Sequence, residues 1–335
     1  MVMVTGLGSL PGTDMAAALR MTFDLVPELP YLPELPARGP WAAIVGRGLG
    51  LPDGLTAEYE AGEWRLAGAP GLDQRRSRAT LRDDLDQLEE VAQGYAGPLK
   101  LSVAGPWTLA ANTAVAMSGR VLADRGARRD LCGAVGHGVG ELAADLHRRL
   151  PDVDLVVQVD EPSLPAVLAG SVPTPGGFFR HSAVDLPEVV AGLAAVTGEP
   201  ARRGLRATSA IHCCAPGLPI APMVGHDRDG AGFDAVSVDM SVAGFADIDA
   251  LAQACEQGRS LWLGVLPTGD PGVIAGVDDV RERVLRILDD VGTDGTKRLV
   301  LTPACGLAGF APKAASQVFR VLARAAVQVA ESVAG

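Results

Sequence analysis

The stretch RATSAIHCCAP, residues 206–216, joins a short strand-like run to three side chains that can bind a metal. The run from Arg206 to His212 is apolar and β-branched enough to form a strand, and side chains two apart in a strand share a face. His212 therefore points the same way as Cys214, whereas Cys213 points the opposite way. One imidazole and one thiol thus project from the same face at the end of this strand.

Two later runs end in a similar manner. Residues 233–239, FDAVSVD, alternate and end in Asp239, and residues 298–305, RLVLTPAC, end in Cys305. Zinc accepts imidazole, thiolate and carboxylate ligands in tetrahedral geometry, and a catalytic site needs one position open to substrate. We therefore predict a zinc site formed by His212, Cys214, Asp239 and Cys305. If all four residues bind zinc, either one of them must dissociate or the coordination number must rise when the substrate binds.

Each of these residues also has a simpler interpretation. Free cysteines often behave as small buried hydrophobes, and a histidine at a strand end can be held there by a hydrogen bond alone. We predict core positions for Cys213, Cys132 and Cys255. The five cysteines contain no CxxC pair. Their odd number argues against a disulfide framework and indicates a reducing compartment.

The rest of the chain predicts a single α/β domain, residues 1–335, folded as a (β/α)8 TIM barrel. From Pro98 onward, short β-rich runs alternate with longer helical patterns, which is typical of repeated βα units and a parallel sheet. The predicted strands are Met1–Leu7, Leu99–Val103, Asp154–Val159, Arg206–His212, Phe233–Val238, Ser260–Leu266 and Arg298–Leu301, with Trp41–Val45 as a weaker candidate. The predicted helices are Leu131–Leu150, Leu186–Val196, Ile248–Glu256, Val277–Asp290 and Lys313–Val333. The stretch from Phe23 to Leu72 is rich in Pro and Gly, and we predict an irregular arm or hairpin insertion there.

Chemistry in such barrels sits at the carboxyl ends of the strands, where several further candidates fall. Asp160 and Glu161 end one strand, and an inward Asp160 either binds a substrate ammonium or caps a helix. The turn that contains Gly8 and Ser9 either presents backbone amides to a carboxylate or is only a tight loop. Trp107 either lines the pocket or packs in the core.

Composition narrows the possible partners. Hydrophobic residues make up 48% of the chain, so a full core can form, and the net charge of −11 disfavours a phosphate backbone as partner. No basic leader segment or uninterrupted apolar stretch of about 18 residues is present, so we expect a cytoplasmic protein that binds neither nucleic acid nor membrane.

Five motifs in this order resemble the catalytic barrel of the cobalamin-independent methionine synthase family, within the superfamily that includes uroporphyrinogen decarboxylase. Residues 8–11, GSLP, are similar to the family's Gly-Ser-Phe-Pro turn, and residues 158–162, QVDEP, to its Gln-Ile-Asp-Glu-Pro strand end. His212-Cys213-Cys214 is similar to its His-x-Cys, and residues 237–239, SVD, stand where it has Ser-Ile-Glu. Residues 303–307, PACGL, are similar to its Pro-Asp-Cys-Gly-Leu.

The resemblance implies a zinc-dependent methyltransferase that activates a thiol, homocysteine, to give methionine. It assigns zinc to His212, Cys214 and Cys305, with Asp239 in the place of the family's glutamate. It also implies that Gly8 and Ser9 hold the amino-acid carboxylate and that Asp160, as the catalytic carboxylate, holds the ammonium. We add Glu161 and Trp107 as candidates for substrate contact.

Three departures from the family pattern bear on the fourth metal ligand and on the methyl donor. Asp239 is one methylene shorter than glutamate, residues 267–271 contain no histidine where the family has one, and Asn112 stands near the expected position of a folate-stacking tryptophan. The family's full-length enzymes also carry a second, N-terminal half, whereas this chain resembles the catalytic half alone. We therefore keep two donors, 5-methyltetrahydrofolate and a methylcorrinoid on a partner protein or small molecule. The alternative function is a regulatory thiol- or metal-binding homologue without turnover, and the acidic charge balance argues against a porphyrinogen decarboxylase.

Overall fold

The computed structural model describes residues 2–115, 119–225, 230–293 and 298–334. Its strands, in chain order, are β1 (Met3–Val4), β2 (Ala57–Glu60), β3 (Glu63–Leu66), β4 (Pro98–Ala104), β5 (Thr113–Val115), β6 (Gly119–Arg120), β7 (Asp154–Asp160), β8 (Thr208–Cys213), β9 (Ala235–Asp239), β10 (Ser260–Leu266) and β11 (Leu299–Pro303). The predicted strands from Leu99 onward are confirmed within a few residues at their ends. Met1 lies outside the described residues, and only a short strand forms after it.

The α-helices are α1 (Met15–Leu25), α2 (Ile44–Gly50), α3 (Leu72–Val91), α4 (Pro106–Asn112), α5 (Arg125–Arg149), α6 (Leu164–Leu168), α7 (Leu186–Thr197), α8 (Glu199–Arg202), α9 (Ile220–Val224), α10 (Phe245–Glu256), α11 (Val277–Val291) and α12 (Pro312–Ala334). In α11, buried Val280, Val284 and Val291 recur at helix spacing. The helix ends at Gly292, which adopts a left-handed conformation with φ of 69°. The five predicted helices are confirmed.

Seven strands form one parallel sheet in the order β1-β11-β10-β9-β8-β7-β4. Its outer face packs against helices in the main core. Its inner face holds a separate small cluster made of Leu29, Val156, Ala210, Ala235, Trp262 and Val300, with Met3 beside it. Because side chains alternate along a strand, residues two and four positions beyond these point inward as well. The sheet is curled and has seven strands, whereas the sequence predicted a closed barrel of eight strands.

Residues 30–34 hydrogen-bond to both edges of the sheet. On one side, Leu32 N donates to Lys100 O of β4 at 3.0 Å and Lys100 N donates to Pro30 O at 2.9 Å. On the other side, Glu34 N donates to Gly8 O just after β1 at 3.0 Å. Two single-residue parallel bridges, one to Lys100 and one to Ser9, mark this path.

The stretch 23–72 has more structure than an irregular arm. It contains α2 and the antiparallel hairpin of β2 and β3, which joins β5 and β6 in a second, four-stranded sheet. The weaker strand prediction at Trp41–Val45 was wrong, because a 3-10 turn at Pro40–Ala42 and the start of α2 occupy these residues. Proline at the first position of a helical turn favours this outcome, since its fixed φ is already helical.

Among the residues that the structure describes, none of the helices has the length and apolar character that a bilayer-crossing segment requires. The cytoplasmic location stays a prediction.

Candidate metal centre and substrate pocket

His212, Cys214 and Cys305 come together at the carboxyl end of the parallel sheet. One ligand atom from each lies within 4.8 Å of the others, and the two Sγ atoms are 3.4 Å apart. Two strands separate β8 from β11, so a flat sheet would hold them roughly 14 Å apart at ~4.8 Å per strand. The curl of the sheet therefore creates this group.

A hydrogen bond fixes the ring of His212. Its Nδ1 lies 3.0 Å from Ser237 Oγ on the neighbouring strand β9, and both side chains are buried. A partner at one ring nitrogen sets the orientation of the other, as is common for metal-binding histidines. Nε2 is consequently the nitrogen that can bind a metal.

The two cysteines of the group differ in proton affinity. Hydrogen bonds with Cys214 and His212 lower the pKa of Cys305 to about 4, whereas the contact with Cys305, together with burial, raises the pKa of Cys214. The thiolate is the form of cysteine that binds a metal, and the lowered pKa of Cys305 favours that form.

Cys213 lies on the other face of β8, as the strand alternation predicts. It is buried in the main core, and its Sγ lies 3.5 Å from Ala215 O. Cys132 and Cys255 also pack in or against this core, so their predicted positions are confirmed. All five cysteines are free.

The structure does not bring Asp239 into the metal group. Its Oδ1 accepts hydrogen bonds from Ser241 N at 2.8 Å and from Ser241 Oγ at 2.7 Å. These bonds turn the short carboxylate toward its own loop, whereas a longer side chain would have more reach. A metal-binding role for Asp239 stays a prediction.

Asp160 is the last residue of β7. It is in register with His212 on the neighbouring strand β8. It is buried, and its Oδ1 accepts a hydrogen bond from Gln158 Nε2 at 2.6 Å. Burial raises the pKa of Asp160 well above its usual range, and the charge of Glu34 raises it further. A buried acid of this kind favours a cationic partner.

Glu34 is a second buried acid whose charge acts on Asp160, although the sequence analysis did not single it out. It is buried, its charge acts on Asp160, and its Oε1 lies 3.3 Å from Arg47 Nε. Burial raises the pKa of Glu34, and the charges of Arg47 and Lys100 lower it. Glu34 lies in the Pro-rich stretch that predicted an irregular arm, so no pattern marked it. The one available signal was an acid inside the otherwise apolar run YLPELP.

Gly8 and Ser9 form the turn after β1, at the same end of the sheet. Gly8 has φ of 120°, which favours glycine, and a Cβ there would stand 3.9 Å from the Glu34 carboxyl carbon. A Cβ added at Gly306 would collide with Ser9 Oγ, so Ser9 packs directly against the residue after Cys305. The turn thus lies between the carboxylates and the metal group.

Glu161 caps helix α4. Its Oε1 accepts from Trp107 N at 2.9 Å, and its Oε2 accepts from Thr108 N and Thr108 Oγ1, each at 2.7 Å. Burial raises the pKa of Glu161 to about 7, against the lowering effect of these hydrogen bonds. Both oxygens are engaged by the helix, so direct substrate contact by Glu161 stays a prediction without a contact to support it.

Trp107 occupies the helical layer. Its indole is 1% exposed, and Nε1 donates to Val189 O of α7 at 3.2 Å. It borders a cleft of about 1020 Å³ between α5 and α7, whose lining contains none of the metal-group residues. Trp107 packs in the helical layer of this structure, and its contact with substrate stays a prediction.

The fold and the site together define an α/β protein with an imidazole and thiolate group at the carboxyl ends of parallel strands. The family model of the cobalamin-independent synthase catalytic domain matches residues 138–331, more than half of the sequence. The chain belongs to this family, which confirms the resemblance.

A solved structure of another protein has a similar fold. A B12-independent methionine synthase from Shewanella sp. W3-18-1, in complex with selenomethionine, matches with a TM-score of 0.65 and 14% identity over 100% of this chain and 99% of that chain. At this identity the likeness shows the fold alone. A methylaspartate ammonia lyase from Citrobacter amalonaticus gives a TM-score of 0.47 and 14% identity over 97% of this chain and 59% of that one, and carries no argument. No curated protein matches the sequence.

Proposed function

We propose that this chain is a zinc-dependent methyltransferase that activates the thiol of homocysteine and yields methionine. The observation that carries the proposal is the group of His212, Cys214 and Cys305 at the carboxyl end of the sheet. Membership of the cobalamin-independent synthase family supports it, as does the methionine-synthase fold of the Shewanella structure.

The three residues fit zinc by the chemistry of their donor atoms and by spacing. Tetrahedral bonds of about 2.3 Å place two sulfurs about 3.8 Å apart. The observed separation of 3.4 Å between Cys214 Sγ and Cys305 Sγ needs only a few tenths of an ångström of adjustment. Bound there, zinc would lower the pKa of a substrate thiol and keep its sulfur nucleophilic at neutral pH.

The chain's own residues would bind and orient the amino-acid end of the substrate. We assign the ammonium to Asp160 and, from the structure, to Glu34, because both are buried carboxylates at the same end of the sheet. We assign the carboxylate to the backbone of the Gly8 and Ser9 turn. Fixing both charges beside the metal group orients the sulfur for in-line attack on a methyl group.

We also propose that the sheet is part of a closed (β/α)8 barrel in a single domain, residues 1–335. Residues 30–34 would be the eighth strand, since they hydrogen-bond to both sheet edges. The hairpin of β2 and β3 would be the insertion within 23–72. The likeness to the Shewanella structure over the whole chain supports this architecture.

The methyl donor is 5-methyltetrahydrofolate or a methylcorrinoid, on a partner protein or as a small molecule. Asn112 stands near the position where a tryptophan would stack on the folate. Its Nδ2 donates to Thr108 O at 2.8 Å and to Ser163 Oγ at 3.0 Å, so residue 112 offers a folate no aromatic ring for stacking.

Metal content followed by zinc-edge X-ray absorption tests the proposal. We expect one zinc per chain and one additional sulfur neighbour after homocysteine is added. Methylated product from either donor, measured by mass spectrometry, would then identify the donor. A metal shell that is indifferent to the thiol would refute thiol activation, and Cys214→Ser is the matched control for the metal site.

A regulatory homologue that binds thiol or metal without turnover is the second candidate. The bonds between Asp239 and Ser241 favour it, because they leave the metal group one acidic ligand short of the predicted set. Methyl transfer from any donor at a rate above that of the Cys214→Ser variant would exclude this candidate.

A further inference from the structure

Lys100 is a fully buried lysine on the inner face of the sheet. It lies on β4 in register with Val156, a member of the inner cluster. Its Nζ donates to Gln158 Oε1 at 2.8 Å and to Ser102 Oγ at 3.2 Å, and it stands 4.8 Å from the centre of the Tyr31 ring. Burying an ammonium is expensive unless it is paired and hydrogen-bonded, and burial lowers the pKa of Lys100 to about 7 against the raising charges of Asp160 and Glu34, so this position calls for an explanation.

The ammonium fixes the orientation of the Gln158 amide. An ammonium has donors only, so the amide must turn its oxygen toward Lys100. The amide nitrogen then donates to Asp160 Oδ1 at 2.6 Å and to Leu7 O at 3.1 Å. Each end of the amide is therefore engaged, and one oxygen of Asp160 is held in place through Gln158.

The charge of Lys100 also acts on the two buried carboxylates, Asp160 and Glu34. It lowers the pKa of both Asp160 and Glu34, against the raising effect of burial. Glu34 has Arg47 as a direct partner, whereas the side chain of Asp160 is hydrogen-bonded by the neutral Gln158. Lys100 is thus a cation whose charge acts on Asp160, and Gln158 links the two residues by hydrogen bonds.

We propose that Lys100 is a positioning residue for the amino group of the substrate: through Gln158 it holds the Asp160 carboxyl group in place. The inference rests on the proposed thiol substrate but adds the residue that sets its recognition. It predicts that Lys100 governs the preference for an α-amino thiol over the same thiol without the amine. Lys100 touches neither the metal group nor the reacting sulfur.

Calorimetric titration of the zinc-loaded protein with two thiols tests this role. The ligands are homocysteine and 4-mercaptobutanoate, which keeps the thiol and carboxylate but lacks the amino group. In Lys100→Met we expect homocysteine to bind about 10-fold more weakly, since Asp160 is no longer held toward the ammonium through Gln158, and 4-mercaptobutanoate to change less than about 3-fold. Lys100→Arg should restore part of the preference. Lys313→Met is the matched control, because Lys313 is exposed on α12.

Gln158→Met provides the second variant, because it removes the hydrogen bonds that join Lys100 to Gln158 and Gln158 to Asp160 while Lys100 itself is retained. This variant should show the same selective loss of homocysteine binding. It also tests the positioning role if Lys100→Met does not fold. Equal weakening of both thiols, or an unchanged preference, would overturn the positioning role while leaving the proposed function standing. A wild-type protein that binds neither thiol would overturn the proposed function and this inference together.

Discussion

Replacing Cys213 and Cys214 separately by serine tests the geometry of the metal centre. The two residues are neighbours in sequence, but Cys214 Sγ belongs to the group of three whereas Cys213 packs in the core behind the sheet. Structural zinc sites bind with about 10–16 kcal/mol, which corresponds to about 2.5–4 kcal/mol for each of four ligands. Cys214→Ser should therefore weaken zinc roughly 100- to 1,000-fold.

The same reasoning predicts a different response for Cys213→Ser. Zinc affinity should stay within about 3-fold of the wild type, while stability falls by about 1–3 kcal/mol because a hydroxyl replaces a buried sulfur. Competition with a chromogenic zinc chelator at fixed pH measures the affinity, and urea unfolding measures the stability. Cys305→Ser should behave as Cys214→Ser does. Equal zinc loss from all three variants would refute the strand-face argument.

Three further outcomes are expected. Trp107→Phe should lower the free energy of unfolding by about 1–3 kcal/mol, through the lost bond to Val189 O and the lost ring volume, and leave thiol binding unchanged; weaker binding in calorimetry would restore the pocket-lining role. Asp239→Asn should keep zinc affinity within about 3-fold of the wild type, because its carboxylate binds Ser241, and stoichiometric loss of zinc would show that it is a ligand. Because the pKa of Glu161 is raised to about 7, the folded state keeps a proton that the unfolded state releases above about pH 4.5, so stability should fall by up to about 3 kcal/mol as the pH rises from 5 to 8. Glu161→Gln should remove this part of the pH dependence relative to Glu256→Gln, an exposed control, and parallel urea-unfolding profiles for the two variants would contradict the assignment.

Local patterns predicted the elements of this fold well where one face of each element is buried. Strand alternation separated Cys213 from Cys214, and helix periodicity located α11 and α12. These predictions succeed because the period of 2 or 3.6 residues is a property of the backbone that the next few residues already express.

The same method failed where the segment has no period. Residues 30–34 hydrogen-bond to both sheet edges, but the prolines of YLPELP hide any alternation, so Glu34 was missed. Trp41–Val45 was assigned to a strand although Pro40 starts a helical turn there. For Asp239 the alternation gave the strand end but not the direction of the carboxylate, which binds Ser241 two residues away, so its role as a metal ligand stays a prediction.

The sequence by itself determined the parallel βα alternation, the ligand types His212, Cys214 and Cys305, and the face from which two of them emerge. Only the tertiary structure decided that β8 and β11, with two strands between them, bring their ligand atoms within 4.8 Å. It likewise decided that Lys100 hydrogen-bonds to Gln158, which in turn hydrogen-bonds to Asp160. The physical reason is that alternation fixes the direction of a side chain relative to its own strand, whereas distances between strands depend on the curl of the whole sheet.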